Sequence, residues 1–144
     1  MSTSVNGFEP QIVAFTCNWC SYAAADLAGT SRIPYPSNVR IIRVMCTGMI
    51  DPIYVLRAFE SGFDGVLLAG CHMGDCHYIS GNVRAEERTA KLRKLLHTLG
   101  LEDERLKLEW ISAAEGGGFA ETIKEYVAQL KELGPSLLRK EATA

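Results

Sequence analysis

Four short apolar runs recur along the chain, each followed by a stretch of helical character, and the first three lead into a cysteine. They are "QIVAF" at 11–15, "VRIIRVM" at 39–45, "VLLAG" at 66–70 and "RLKLEWISA" at 105–113. Runs of this length between helical segments read as buried strands. The cysteines waiting at the first three ends are Cys17, Cys46 and Cys71. Between the runs, "NWCSYAAADLAG" at 18–29 predicts a helix closed by Gly29, and the two prolines of 30–38 predict a loop. Asp51 as cap and Pro52 at the first helical position open a second helix with Val55, Leu56 and Phe59 on one face. Asn82 is the expected cap of a long third helix. Its inner face is read as Leu92, Leu95, Leu96 and Leu99, with Arg84, Arg88, Lys91, Arg93 and Lys94 in water. "AEGGG" at 114–118 leads into the last helix, whose stripe is Phe119, Ile123, Tyr126, Val127 and Leu130. Gly134-Pro135 ends that helix, and "SLLRKEATA" reads as a frayed tail.

Strands alternating with helices imply a parallel sheet with right-handed crossovers. Continuous apolar character in "IVAF", "IIRVM" and "VLLA" suits strands covered on both faces. The expected fold is therefore a three-layer, flavodoxin-like α/β domain with a four-stranded parallel sheet. One domain is expected over 1–144, with a core at about 10–133 and a C-terminal tail at 134–144. A chain of 144 residues can bury such a core. Net charge of −2 offers no basic footprint for nucleic acid or an anionic membrane. The longest apolar run, "GVLLAGC", is far too short to span a bilayer. "MSTSVNGFEP" lacks a secretory pattern, so a cytoplasmic protein is expected.

In a reducing compartment five cysteines argue for metal or redox duty rather than a disulfide framework. With strand order 2-1-3-4, Cys17, Cys46 and Cys71 emerge side by side, about 4.8 Å separating neighbouring strands. Cys20, one turn into the first helix, and Cys76, in the loop after the third strand, lie near the same edge. Ligands bind at that edge in open α/β sheets.

Several chemistries suit such a set. Zinc could take "CNWC" with "CHMGDC", or a catalytic arrangement using His72 or His77, although Asp75 is the one carboxylate beside them. A dithiol reading rests on the C-x-x-C of Cys17 and Cys20, and leaves the other three cysteines without work. An iron–sulfur cluster wants about four thiolates, and a sheet edge can collect them from distant positions. On residues alone the iron–sulfur site is favoured, most simply [2Fe–2S], with one cysteine left over. His72 and His77 are then either donors to cluster sulfur or plain solvated loop residues. His97 reads as surface. "EGGG" at 115–118 could cradle a phosphate, but matches no nucleotide-binding pattern and reads as a flexible helix entry. Trp19 and Tyr78 flank the site, where they could shield it.

"FTCNWCSYAAADLAGTSR", "RVMCTGMIDP", "LRAFESGFDGVLLAGCHMGDCHYISGN" and "EGGGFAE" together resemble the delta-subunit family of methyl-viologen-reducing (F420-non-reducing) hydrogenases, the iron–sulfur subunits of those complexes. The likeness covers roughly residues 8 to 130. It implies a non-catalytic electron-transfer protein with one [2Fe–2S] cluster in an oxidoreductase complex of methanogens and related anaerobes. The implied partners are a hydrogenase or formate dehydrogenase and the large flavin subunit of heterodisulfide reductase, where electron bifurcation takes place. All five cysteines lie within the matching motifs, so four of Cys17, Cys20, Cys46, Cys71 and Cys76 are expected to hold the metal. Cys17, Cys71 and Cys76 come first. Cys20 and Cys46 compete for the fourth place, and the C-x-x-C spacing leans to Cys20. The basic face of Arg84, Arg88 and Lys91 is one candidate docking surface. The rival is a zinc-binding or dithiol redox α/β domain acting alone.

Overall fold

A computed structural model describes residues 8–139. Its strands are β1 (Ile12–Cys17), β2 (Val39–Val44), β3 (Gly65–Gly70) and β4 (Leu106–Trp110). Its helices are α1 (Ser21–Thr30), α2 (Pro52–Glu60), α3 (Gly81–Thr98) and α4 (Gly116–Leu133). The strands form one sheet in the order β2-β1-β3-β4, and every pairing is parallel. This is the expected α/β architecture.

Period-two alternation along the central strands feeds two separate cores. Ile12 and Ala14 of β1, with Leu67 and Ala69 of β3, pack against α1 and α4 through Ala24, Ala28, Phe119, Ile123 and Leu130. Val13, Phe15, Val66 and Leu68 face the other way, against Val55 and Phe59 of α2 and Leu92 and Leu96 of α3. β1 and β3 are thus buried on both faces, which is why they read as unbroken apolar runs. β2, expected to be covered likewise, is an edge strand and only partly buried, with Ile42 exposed.

Asp51 caps α2 as the sequence suggests, its carboxylate accepting from the Ile53 N–H at 2.9 Å. Other expectations need correction. α3 begins at Gly81 behind Ser80, and Asn82 lies inside the helix with its side chain buried. Leu95 and Leu99 are exposed, because the face of α3 on the sheet is set by Ala85, Thr89, Leu92 and Leu96. Arg88 and Arg93 do not simply stay wet. Arg88 donates to the Gly48 and Ile50 carbonyls, and Arg93 to the Leu106 carbonyl.

The segment after α4 is tied down as far as the described residues run. Asp64, fully buried before β3, accepts from the Ser136 N–H at 2.9 Å, the Gln11 N–H at 2.8 Å and Arg139 at 2.7 Å. Arg105, equally buried before β4, donates to the carbonyls of Asp64, Gly134 and Pro135 and pairs with Glu102. Residues 136–139 are therefore not frayed; 140–144 lie outside the described residues. This polar clamp closes the N-terminal ends of the strands. The cysteines occupy the other end.

Candidate metal centre

Strand register sets the site. Cys17 pairs with Val44 of β2, and its neighbour Thr16 pairs with Ala69 of β3. Cys46 and Cys71 therefore leave the sheet within two residues of the level of Cys17. The β1–α1 turn is short enough that Cys20 becomes the N-terminal flank of α1, its N–H bonding back to the Cys17 carbonyl at 3.3 Å. Cys46 precedes a one-turn 3-10 helix (Thr47–Met49) and accepts the Gly48 N–H at 3.4 Å. Cys76 sits in the loop that runs from β3 into the N-terminus of α3.

Two glycines bring this last loop close. A Cβ on Gly48 would lie 2.8 Å from the Gly81 backbone, and one on Gly81 would lie 2.1 Å from the Cys46 sulfur. Bare backbone at both positions lets the N-terminus of α3 reach the thiols.

The five sulfurs fall into a trio and a pair. Cys17, Cys20 and Cys71 are buried, and their sulfurs lie within 4.8 Å of one another. Cys17 to Cys71 is 3.7 Å, and Cys71 donates to Cys20 at 2.8 Å. Cys46 and Cys76 stand 3.9 Å apart. Cys76 is the one partly exposed member of the five.

The polar surroundings treat these thiols differently. Cys17 is pulled down to about 6, chiefly by the Cys20 thiol, with help from the backbone N–H groups of Trp19 and Cys20. Cys20 moves strongly upward because Cys17 and burial both favour its protonated form. Burial pushes Cys46 up to about 11 and raises Cys71 as well. Burial also works on Cys76, but the N–H groups of Asn82, Tyr78 and Gly81 and the Cys46 thiol together outweigh it, leaving that thiol below its usual range. Helix N-terminal N–H groups favour a thiolate in this way.

Residues read otherwise in the sequence hold the loop. The Asn82 amide donates to the carbonyls of Cys71 at 3.0 Å and His72 at 2.9 Å. His72 pairs with Glu115 at the head of α4, and the same carboxylate oxygen accepts the Ser112 N–H at 3.0 Å. With a carboxylate already at that helix start, "EGGG" is not arranged for a phosphate. His77 stacks on Trp19 with ring centroids 3.8 Å apart, and Trp19 donates to the Tyr78 hydroxyl at 3.2 Å. His97 is exposed, 3.5 Å from Asp103, as a surface residue should be. Around the thiols, Trp19, Met45, Met49, Met73, Tyr78 and Ile79 are all exposed, contributed by the loops after three different strands. The sequence reading named Trp19 and Tyr78 beside the site and missed the other four, since single exposed apolar residues carry no periodic signal.

Residues 12–134 match the family described as methyl-viologen-reducing hydrogenase, delta subunit. The chain belongs to that family. Its delta-subunit relatives include an iron-sulfur subunit of the F420-non-reducing hydrogenase of Archaeoglobus profundus, 50% identical over 128 residues, covering 89% of this chain and 93% of that one. The corresponding iron-sulfur subunit of the F420-non-reducing hydrogenase vhu of Methanocaldococcus jannaschii is 45% identical, with 91% and 98% covered. The chain is also similar to part of a ferredoxin:CoB-CoM heterodisulfide reductase subunit from Methanosarcina mazei, 54% identical over 137 residues. That match covers 94% of this chain but 17% of the relative, so here the delta-subunit sequence spans about a sixth of a longer protein.

Proposed function

We propose that this chain is an electron-transfer protein whose thiols hold a [2Fe–2S] cluster. It passes electrons between a hydrogenase or formate dehydrogenase and the flavin-bearing component of a cytoplasmic heterodisulfide reductase complex. The observation that carries the reading is the pairing of sulfurs. Two thiolates on one tetrahedral metal at about 2.3 Å stand about 3.8 Å apart. Cys17 with Cys71 at 3.7 Å and Cys46 with Cys76 at 3.9 Å supply two such edges that share no residue, as a two-iron cluster requires. The names of the relatives, an iron-sulfur subunit of one complex and a stretch of heterodisulfide reductase, support the same role.

A bound cluster of this kind takes up and releases one electron at a time. The chain's own groups do the rest. Four thiolates hold the metal from three strand ends and one loop. The Gly48 N–H and those at the start of α3 point at sulfur, which stabilises added negative charge. Both cores keep water from the inner side. The Met and aromatic collar offers a partner a dry surface close to the thiols. Among the described residues no helix is long and apolar enough to cross a membrane.

Anaerobically purified protein should be coloured, with about two iron and two acid-labile sulfide per chain and an EPR signal on reduction. The alternative is a single zinc held by these thiols in place of iron and sulfide. Colourless protein with stoichiometric zinc and no sulfide would sink the cluster.

A further inference from the structure

Five thiols converge where four suffice, and the fifth has a distinctive place. Using the two edges at tetrahedral spacing leaves Cys20 unassigned. Its sulfur approaches Cys71 to 2.8 Å, too close for both to bind one tetrahedral metal, where about 3.8 Å is needed. It is buried at the head of α1 and touches the Ser21 hydroxyl, which itself donates to the Ile111 carbonyl. That hydroxyl therefore presents a lone pair to Cys20, whose single S–H is given to Ser21 while Cys71 donates to Cys20.

We infer that Cys20 is a positioning thiol rather than a ligand: its S–H donates to the Cys71 sulfur and raises the potential of the centre. The reading rests on the proposed cluster. As free thiols, Cys71 donates to Cys20. Bound to metal, Cys71 is a thiolate with no proton to give. The contact then persists only if the one Cys20 proton turns from the Ser21 hydroxyl to the Cys71 sulfur, which as a thiolate is the stronger acceptor. Reduction adds negative charge to the cluster and its sulfurs, so a donor at Cys71 stabilises the reduced form more than the oxidised one. The C-x-x-C motif thereby divides its work, one cysteine holding metal and the other tuning its neighbour's electron density.

The test compares wild type with Cys20→Ala, Cys20→Ser and Cys46→Ser, all purified without oxygen. Iron and sulfide content, EPR spectrum and midpoint potential are read for each. Cys20→Ala should keep wild-type iron and sulfide and shift the potential downward. Cys20→Ser, which retains a donor, should lie nearer wild type and guards against misfolding of the alanine variant. Cys46→Ser should lose the cluster. Loss of iron in both Cys20 variants, full iron in Cys46→Ser, or an unmoved potential in Cys20→Ala would each overturn the inference while leaving the cluster standing. Wild type without iron or sulfide would instead overturn the cluster reading itself.

Discussion

A methyl group on Gly81 would sit 2.1 Å from the Cys46 sulfur and 3.1 Å from that of Cys76. Gly81→Ala should therefore push the start of α3 outward, at a cost of about 1–3 kcal/mol for overpacking. Iron per chain should fall sharply while the far-ultraviolet circular dichroism stays that of the wild type. At the other end of the sheet Arg105 donates to three backbone carbonyls from a fully buried position. Arg105→Met leaves those acceptors unpaired and should cost about 3 kcal/mol, read as a lower urea midpoint, with the thiols undisturbed. Its partner Glu102 has a carboxyl held below the usual range by Arg105. A lowered folded-state value means the pair's contribution is present above the ordinary carboxylate pKa and lost as pH falls through the lowered one. Glu102→Gln should flatten the acid limb of stability against pH; an unchanged limb would show that the pair contributes nothing there. The effect is small, because the Glu102 side chain is 44% exposed.

Elements were the most legible level, and the reasons are local. Both faces of β1 and β3 are covered, so their sequences are continuously apolar, and each ends where a cysteine begins. The amphipathic stripe of α4 was equally plain, since Phe119, Ile123, Tyr126, Val127 and Leu130 all reach the core. α3 misled because Leu95 and Leu99 share helical spacing with Leu92 and Leu96, yet the small residues Ala85 and Thr89 define the face that packs. Asn82 looked like a cap, but its amide is spent on the Cys71 and His72 carbonyls, a long-range duty that no local pattern encodes. Asn82→Ala removes the donor shared by two carbonyls of the cysteine loop and should cost about 1–3 kcal/mol. Faster hydrogen exchange confined to residues 71–82 would be its mark; exchange unchanged there would show that the amide does not hold the loop. Glu115 escaped notice for the same reason, as its partner His72 is brought to it only by the sheet.

Across the whole molecule, convergence of Cys17, Cys46 and Cys71 followed from strand order and that of Cys20 and Cys76 from their nearness in sequence, whereas the grouping into a trio and a pair needed three-dimensional distances. The collar is also a property of the assembled surface. Met49 and Ile79 are exposed at 56% and 86% and come from different loops beside the thiols. Met49→Glu with Ile79→Glu should leave the cluster spectrum intact and slow electron transfer to the physiological partner by at least about tenfold, the effect of losing roughly 1.4 kcal/mol of docking energy. An unchanged transfer rate would place the partner elsewhere, with the basic face of Arg84 and Lys91 the next surface to alter. The opposite pole has a different importance. There Arg139 donates to the Glu9 carbonyl at 3.2 Å, so the two ends of the described chain meet beneath the sheet. The described chain thus enters and leaves the fold at that pole, as at the handle of a plug, and the thiols lie at the other.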